Sequence, residues 1–261
     1  MGLLTIDELA QKSFLKEIDY PAKIEKYKTT VDLYSVAARL WHDNEQIAIY
    51  ELSKNNINNT KLRFFNCGWL DEYIINGNNN RLLDYGLSHV CYTLLSDNEP
   101  LIERYSKLTY TKEKNAELSM NEMIELGESA IWCNTLQLFM ANDHNGIERN
   151  LNIIETKGLK KLSKKDSGFT DDYEFYKALY DGNKSKMEDI LEKLTTPKIH
   201  KKRNDSPVLS QYVSLPALGY AKLAWRKGIE VNVESKLLPK ELLPIKPLEK
   251  YKIPYTFLIN G

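Results

Sequence analysis

Residues 211–245, QYVSLPALGYAKLAWRKGIEVNVESKLLPKELLPI, constrain the fold more than any other stretch. Ser214 ahead of Leu215 and Pro216 reads as a helix start, because proline's fixed φ and missing N–H suit a first turn, and Gly228 reads as the stop. Between them Leu218, Ala221 and Trp225 recur at helical spacing, while Ala217, Gly219 and Ala224 are small enough to let a second helix come close. The segment therefore reads as a buried closing helix. Beyond Gly228 the period changes to two. Ile229, Val231 and Val233 alternate with Glu230, Asn232 and Glu234 before prolines frame LLPKELLP, which predicts an extended tail and not more helix.

Upstream, Thr5 and Glu8 fit a capping box that opens a first helix ending at Tyr20, before Pro21. Val31, Tyr34, Ala37, Ala38 and Trp41 share one helical face, which breaks near His42, Asp43 and Asn44, and a short helix through Ile47 and Tyr50 follows. The runs KNNINNT (54–60) and NGNNN (76–80) read as loops on either side of FFNCGWLDEYII, since asparagine side chains compete with helical backbone bonding. Leu83, Leu87, Val90 and Leu94 predict a helix over 81–96, turning at Asp97–Pro100 into the next. A second capping box, Ser119 with Glu122, opens a helix to about Asn142, followed by NGIERNLNIIETKG capped by Gly158. DDYEFYKALYDG and NKSKMEDILEKL form a further helical pair. The charged stretches LKKLSKKDSGFTDD and TTPKIHKKRNDSP read as surface loops.

These units superpose on one another. Leu136, Phe139, Met140, Ile147, Leu151 and Ile154 fall on Tyr176, Leu179, Tyr180, Met187, Leu191 and Leu194 at a spacing of 40 residues, and Ile102–Arg104 repeats as Ile147–Arg149 at 45. The expectation is an all-α fold of stacked helical hairpins, either solenoid-like or an irregular bundle, with a short extended C-terminal tail. Residues 1–261 read as a single helical domain. At 261 residues a globular chain buries roughly 70–75% of its unfolded surface, so its core needs no staples.

Thirty-six basic and 36 acidic residues balance, so no global field favours nucleic acid or an anionic membrane. No stretch is long and apolar enough to span a bilayer, and the start, MGLLTIDELAQKS, lacks a basic segment leading into an apolar run. A cytosolic protein is expected. Cys67, Cys91 and Cys133 lie in apolar contexts without metal-ligand spacing and read as reduced core residues. No histidine stands three or four residues from another or from a cysteine, so no metal site is expected. His89 reads as a core or boundary residue on an apolar helix, and His42 and His144 as turn residues beside aspartates. No glycine-rich phosphate loop is present, so no cofactor and no catalytic residue is expected. Trp41, Trp69, Trp132 and Trp225 all fall in predicted helices and read as core. Asp171, Asp172 and Glu174 complement the positive end of a helix. Together with Tyr173 and Tyr176 they form a candidate partner-binding edge for a basic protein surface. The basic residues Lys198, His200, Lys201, Lys202 and Arg203 read as a solvated loop.

The run SLPALGYAKLAWRKGIEVNVESKLLPKELL resembles the C-terminal signature of the immunity protein 49 family of bacterial polymorphic toxin systems, in which a proline-entered helix ends at a glycine and leads through an extended segment to a proline-flanked leucine pair. The resemblance runs upstream through LLSDNEPLIERY, LQLFMANDHNGIERNL and FYKALYDGNKSKMEDIL, over residues 82–245, leaving 1–81 as a helical part of unassigned kinship. It implies an all-helical cytosolic antidote that binds a cognate toxin by protein–protein contact, with no catalytic residues to transfer. A helical-repeat scaffold without a toxin partner is the other non-enzymatic reading. An enzyme would need a pocket joining residues such as His144, Cys133 and Asp171.

Overall fold

Each capping box starts its helix where the sequence places it. Thr5 Oγ1 accepts from Glu8 N at 3.2 Å and the Glu8 carboxylate accepts from Thr5 N at 2.8 Å, opening α1 (Ile6–Lys26). A computed structural model describes residues 4–26, 32–112, 117–163, 168–204, 206–253 and 255–258, and among these the chain is all-α, with no strand. α1 runs through Pro21, which is exposed, so water can take the hydrogen bond the proline forgoes.

The largest departures from expectation lie in the N-terminal third. α2 (Leu33–Ser53), capped by Asp32, does not break at 42–44, and α3 (Ile57–Asn78) absorbs most of both asparagine runs; Val31 lies outside the described residues. Of the polar residues that suggested breaks, Asp43 and Asn44 are interior and engaged by distant residues. Asp43 meets Lys16 at 3.2 Å, and Asn44 bonds Tyr255 Oη at 2.7 Å and Asn66 Nδ2 at 3.0 Å. His42 accordingly sits within a helix and not in a turn.

Further along, a short 3₁₀ turn (Leu82–Tyr85) and Gly86 interrupt what the pattern joins into one helix, leaving α4 (Leu87–Leu95) and then α5 (Glu99–Tyr105). α6 (Met120–Leu126) and α7 (Ala130–Ala141) are separate helices broken at Gly127. α8 (His144–Ile153) continues through a π-helical turn (Ile154–Gly158) into α9 (Leu159–Lys161), so Gly158 is not a cap. α10 (Gly168–Tyr180) and α11 (Lys184–Thr195) pair as expected. The stretch read as a second charged loop instead contains α12 (Pro197–Arg203). α2 and α3 form the most extensive helix pair, with α1 against α2; α7 pairs with α8, and α4 packs on both α3 and the closing helix α13 (Leu215–Arg226).

α13 behaves as its sequence requires. A Cβ on Gly219 would lie 2.7 Å from Cys91 Cβ, so the missing side chain is what lets α13 settle on α4. Gly228 follows the helix at φ +76°, a conformation glycine adopts without steric cost. Val231 and Val233 are buried and their alternating neighbours exposed, as the period of two requires, although the tail joins no sheet among the described residues.

What holds that tail is a buried charge cluster. Asp97, fully buried and left-handed at φ +56°, lies 2.6 Å from Lys222 Nζ, 2.6 Å from Lys61 Nζ and 3.5 Å from Arg226. Lys222 also donates to the carbonyls of Leu242, Leu243 and Pro244, and Lys61 to that of Lys246. Two buried ammonium groups thereby satisfy four tail carbonyls that would otherwise lack partners.

Candidate functional site

A cleft of about 840 Å³ opens between a wall made by α2 and α4 and a wall made by the start of α10, by α11 and α12, and by the first turn of α13. That volume lies within the range of ligand pockets. The three cysteines are free and buried, and Cys91, which lines the cleft, has its thiol pushed well above the usual value by burial, so it is no nucleophile.

The α2–α4 wall is organised around His89. Its Nδ1 lies 2.9 Å from Asp71 Oδ1, and its ring packs against Trp41 with centroids 4.6 Å apart. Burial alone would lower the His89 pKa, but the charge and hydrogen bond of Asp71, with a further contribution from Glu45, raise it above the ordinary value. Asp71 is itself fully buried, and its other oxygen accepts from Tyr105 Oη at 3.4 Å. Glu45 accepts from the Tyr92 hydroxyl through Oε1, whereas among the described residues Oε2 has only His42 Nδ1, at 3.9 Å. Trp41 is buried and its indole N–H has no hydrogen-bond partner among the described residues. Tyr85, at the end of the 3₁₀ turn, is 63% exposed.

The facing wall is charged but internally matched. Asp171 pairs with Lys193 at 2.6 Å, and Asp172 with Arg203 at 2.8 Å. Burial pushes the Asp172 carboxyl up while Arg203 opposes the shift, and Asp172 in turn keeps the buried guanidinium protonated. Arg203 also donates to Gly168 O at 3.1 Å, fixing the end of α12 to the start of α10. Asn204 joins α12 to α13 by donating to His200 O and accepting from Leu215 N.

The structure disperses the acidic edge read from sequence. Asp171 and Asp172 turn into the cleft and are ion-paired there. Tyr173 is buried, its hydroxyl raised to about 12 by burial and by a hydrogen bond with Glu155. Tyr176 lies in the core, donating to Trp132 O at 3.2 Å and lying 3.3 Å from Tyr220 Oη, which removes it from any partner-facing surface. Glu174 alone among the five keeps substantial exposure, with Lys186 3.8 Å away. Sequence reasoning read Trp41 as core, which it is, and passed over Glu45 and Tyr85. Trp41 and Glu45 stand four residues apart on one helical face, which is the trace of the α2 part of this wall in the linear chain.

Of the residues an enzyme would have to bring together, Asp171 lines the cleft, Cys133 is buried elsewhere and His144 is exposed at the start of α8. Among the described residues no group of three or more histidine, cysteine or acidic side chains is arranged to hold a metal, and no helix is long and apolar enough to cross a membrane.

The family model for immunity protein 49 matches residues 51–242. The chain belongs to the immunity protein 49 family. No curated protein and no solved structure matches it. The immunity protein 49 match starts in the last turn of α2, upstream of the 82–245 region in which the resemblance is legible by eye, and so takes in α3. It includes α13 and the facing wall of the cleft, while Trp41 and Glu45 lie ahead of it.

Proposed function

We propose that this member of the immunity protein 49 family binds a cognate secreted bacterial toxin domain in the cytoplasm and neutralises it by direct contact, with residues 1–261 acting as a single helical domain and no chemistry of its own. Family membership carries the reading. The cleft supports it: a concave surface with an exposed tyrosine and an under-coordinated carboxylate suits a protein partner, and its one lining thiol is unreactive. On this reading Asp171 and Glu174 stand at the partner-facing side of α10, and Tyr173 and Tyr176 support it from within. The test is co-expression with the toxin domain encoded beside its gene. Relief of growth arrest and co-purification of a stable complex are expected; arrest that persists despite soluble expression of both chains refutes the reading.

A further inference from the structure

The cleft's two walls differ in what they leave unsatisfied. Across the facing wall each buried carboxylate has its cation, Asp171 with Lys193 and Asp172 with Arg203, and Lys202 is exposed at the rim. On the α2–α4 wall the His89 ring is matched by Asp71 behind it. Glu45 has no such cation among the described residues. One of its oxygens holds the Tyr92 hydroxyl, and the other faces only the exposed His42 at 3.9 Å, beyond hydrogen-bond distance. Its side chain is 17% exposed, so its charge is partly desolvated yet reachable from the cleft.

A cation brought to that oxygen interacts more strongly than at an open surface, because the surrounding dielectric is lower. The chemistry beside Glu45 fits the rest of such a group. Leu87, Trp41 and the exposed Tyr85 offer apolar and aromatic surface for an aliphatic stem, and aromatic faces attract a cationic head. An anionic group would meet Glu45 with no unpaired lysine or arginine beside it on this wall among the described residues. Resting on the toxin-binding reading, we infer that the α2–α4 wall receives a basic side chain, arginine or lysine, presented by the toxin, with Glu45 as counter-ion and Tyr85 covering the stem.

Two arms test this. In the first, the toxin domain is titrated against wild type, Glu45→Gln and Tyr85→Ala, with thermal melts confirming that each variant stays folded. Glu45→Gln keeps an acceptor for Tyr92 and removes the charge; binding should weaken about 30-fold or more, chiefly through faster dissociation. Tyr85→Ala should weaken it about tenfold. In the second arm, millimolar N-acetylarginine amide is titrated while the Trp41 indole N–H is followed by NMR, with N-acetylglutamine amide as control. A saturable shift with the arginine probe alone, absent in Glu45→Gln, is expected. If wild type binds the toxin and Glu45→Gln binds equally well, the inference is overturned. If wild type fails to bind the toxin, the immunity reading falls, and the probe then decides this wall: a saturable shift upholds a cation site, and a flat titration overturns it.

Discussion

Asp97→Asn isolates the charge at the centre of the cluster that holds the tail. Asparagine keeps the size, a hydrogen-bonding oxygen and tolerance of the left-handed backbone at φ +56°, so what is lost is one negative charge. The wild-type carboxylate lies 2.6 Å from each of two ammonium groups, with side chains 0% and 3% exposed, and 3.5 Å from Arg226. Removing one member of a buried pair costs about 3–5 kcal/mol, because the survivor stays desolvated without compensation. Here two buried cations are stranded, but Lys222 limits the loss. Burial already pulls it down to about 8 against the attraction of Asp97, so without Asp97 it can release its proton. The expected cost is therefore about 3–5 kcal/mol at pH 7, a large part of a typical domain's 5–15 kcal/mol. The sign with pH follows. Lys222's folded pKa lies below its unfolded value of about 10.4, so the unfolded state binds more protons in that window and the variant regains stability as pH rises from 7 toward 10. Urea denaturation of wild type and variant at pH 7 and 9 measures both effects. A cost under about 1 kcal/mol at pH 7, or a gap that widens at pH 9, refutes the reasoning. Glu103→Gln, which breaks an exposed pair with Lys107, serves as the control and should leave the midpoint unchanged.

Three further outcomes follow from the same packing. His89 has a raised folded pKa, so its pairing with Asp71 contributes stability that is fully present below the unfolded value of about 6.5 and is lost as pH rises through the folded one; NMR titration should show Asp71→Asn lowering the His89 pKa and denaturation should show it flattening that pH dependence. Gly219→Ala should destabilise by about 1 kcal/mol, since a clash with Cys91 worth about 1–3 kcal/mol exceeds the roughly 1 kcal/mol gained in helix propensity; a raised melting temperature would contradict it. Trp225 is half-buried and donates to Val231 O at 3.1 Å, so Trp225→Ala should cost about 2 kcal/mol, below the 3–5 kcal/mol of a fully buried tryptophan, by chemical denaturation.

Where the sequence and the structure agree, the determining interaction is local. Both capping boxes form between residues three apart, Asn98 and Pro100 open α5 as a cap and first-turn proline, and the small residues of α13 meet a neighbouring helix. Where they disagree, a distant residue supplies what the local chain lacks. His42–Asn44 reads as a break until Lys16 meets Asp43 and Asn66 and Tyr255 bond Asn44, and the basic stretch after Thr196 reads as a solvated loop until Asp172 neutralises Arg203. Along the candidate edge at Asp171–Tyr176 successive helical residues point in different directions, and only packing decides which of them meet solvent.

The all-α class, the helical pairs, the closing helix with its extended tail and the family itself are written in the linear chain, because period, caps and small-residue spacing act over a few residues. The cleft is not. Its walls come from α2 and α4 on one side and α10 to α13 on the other, and only their approach makes Glu45, held by the Tyr92 hydroxyl, a cleft-lining carboxylate. Partnering is a property of space and not of sequence, so the surface proposed to meet the toxin came into view only with the tertiary structure.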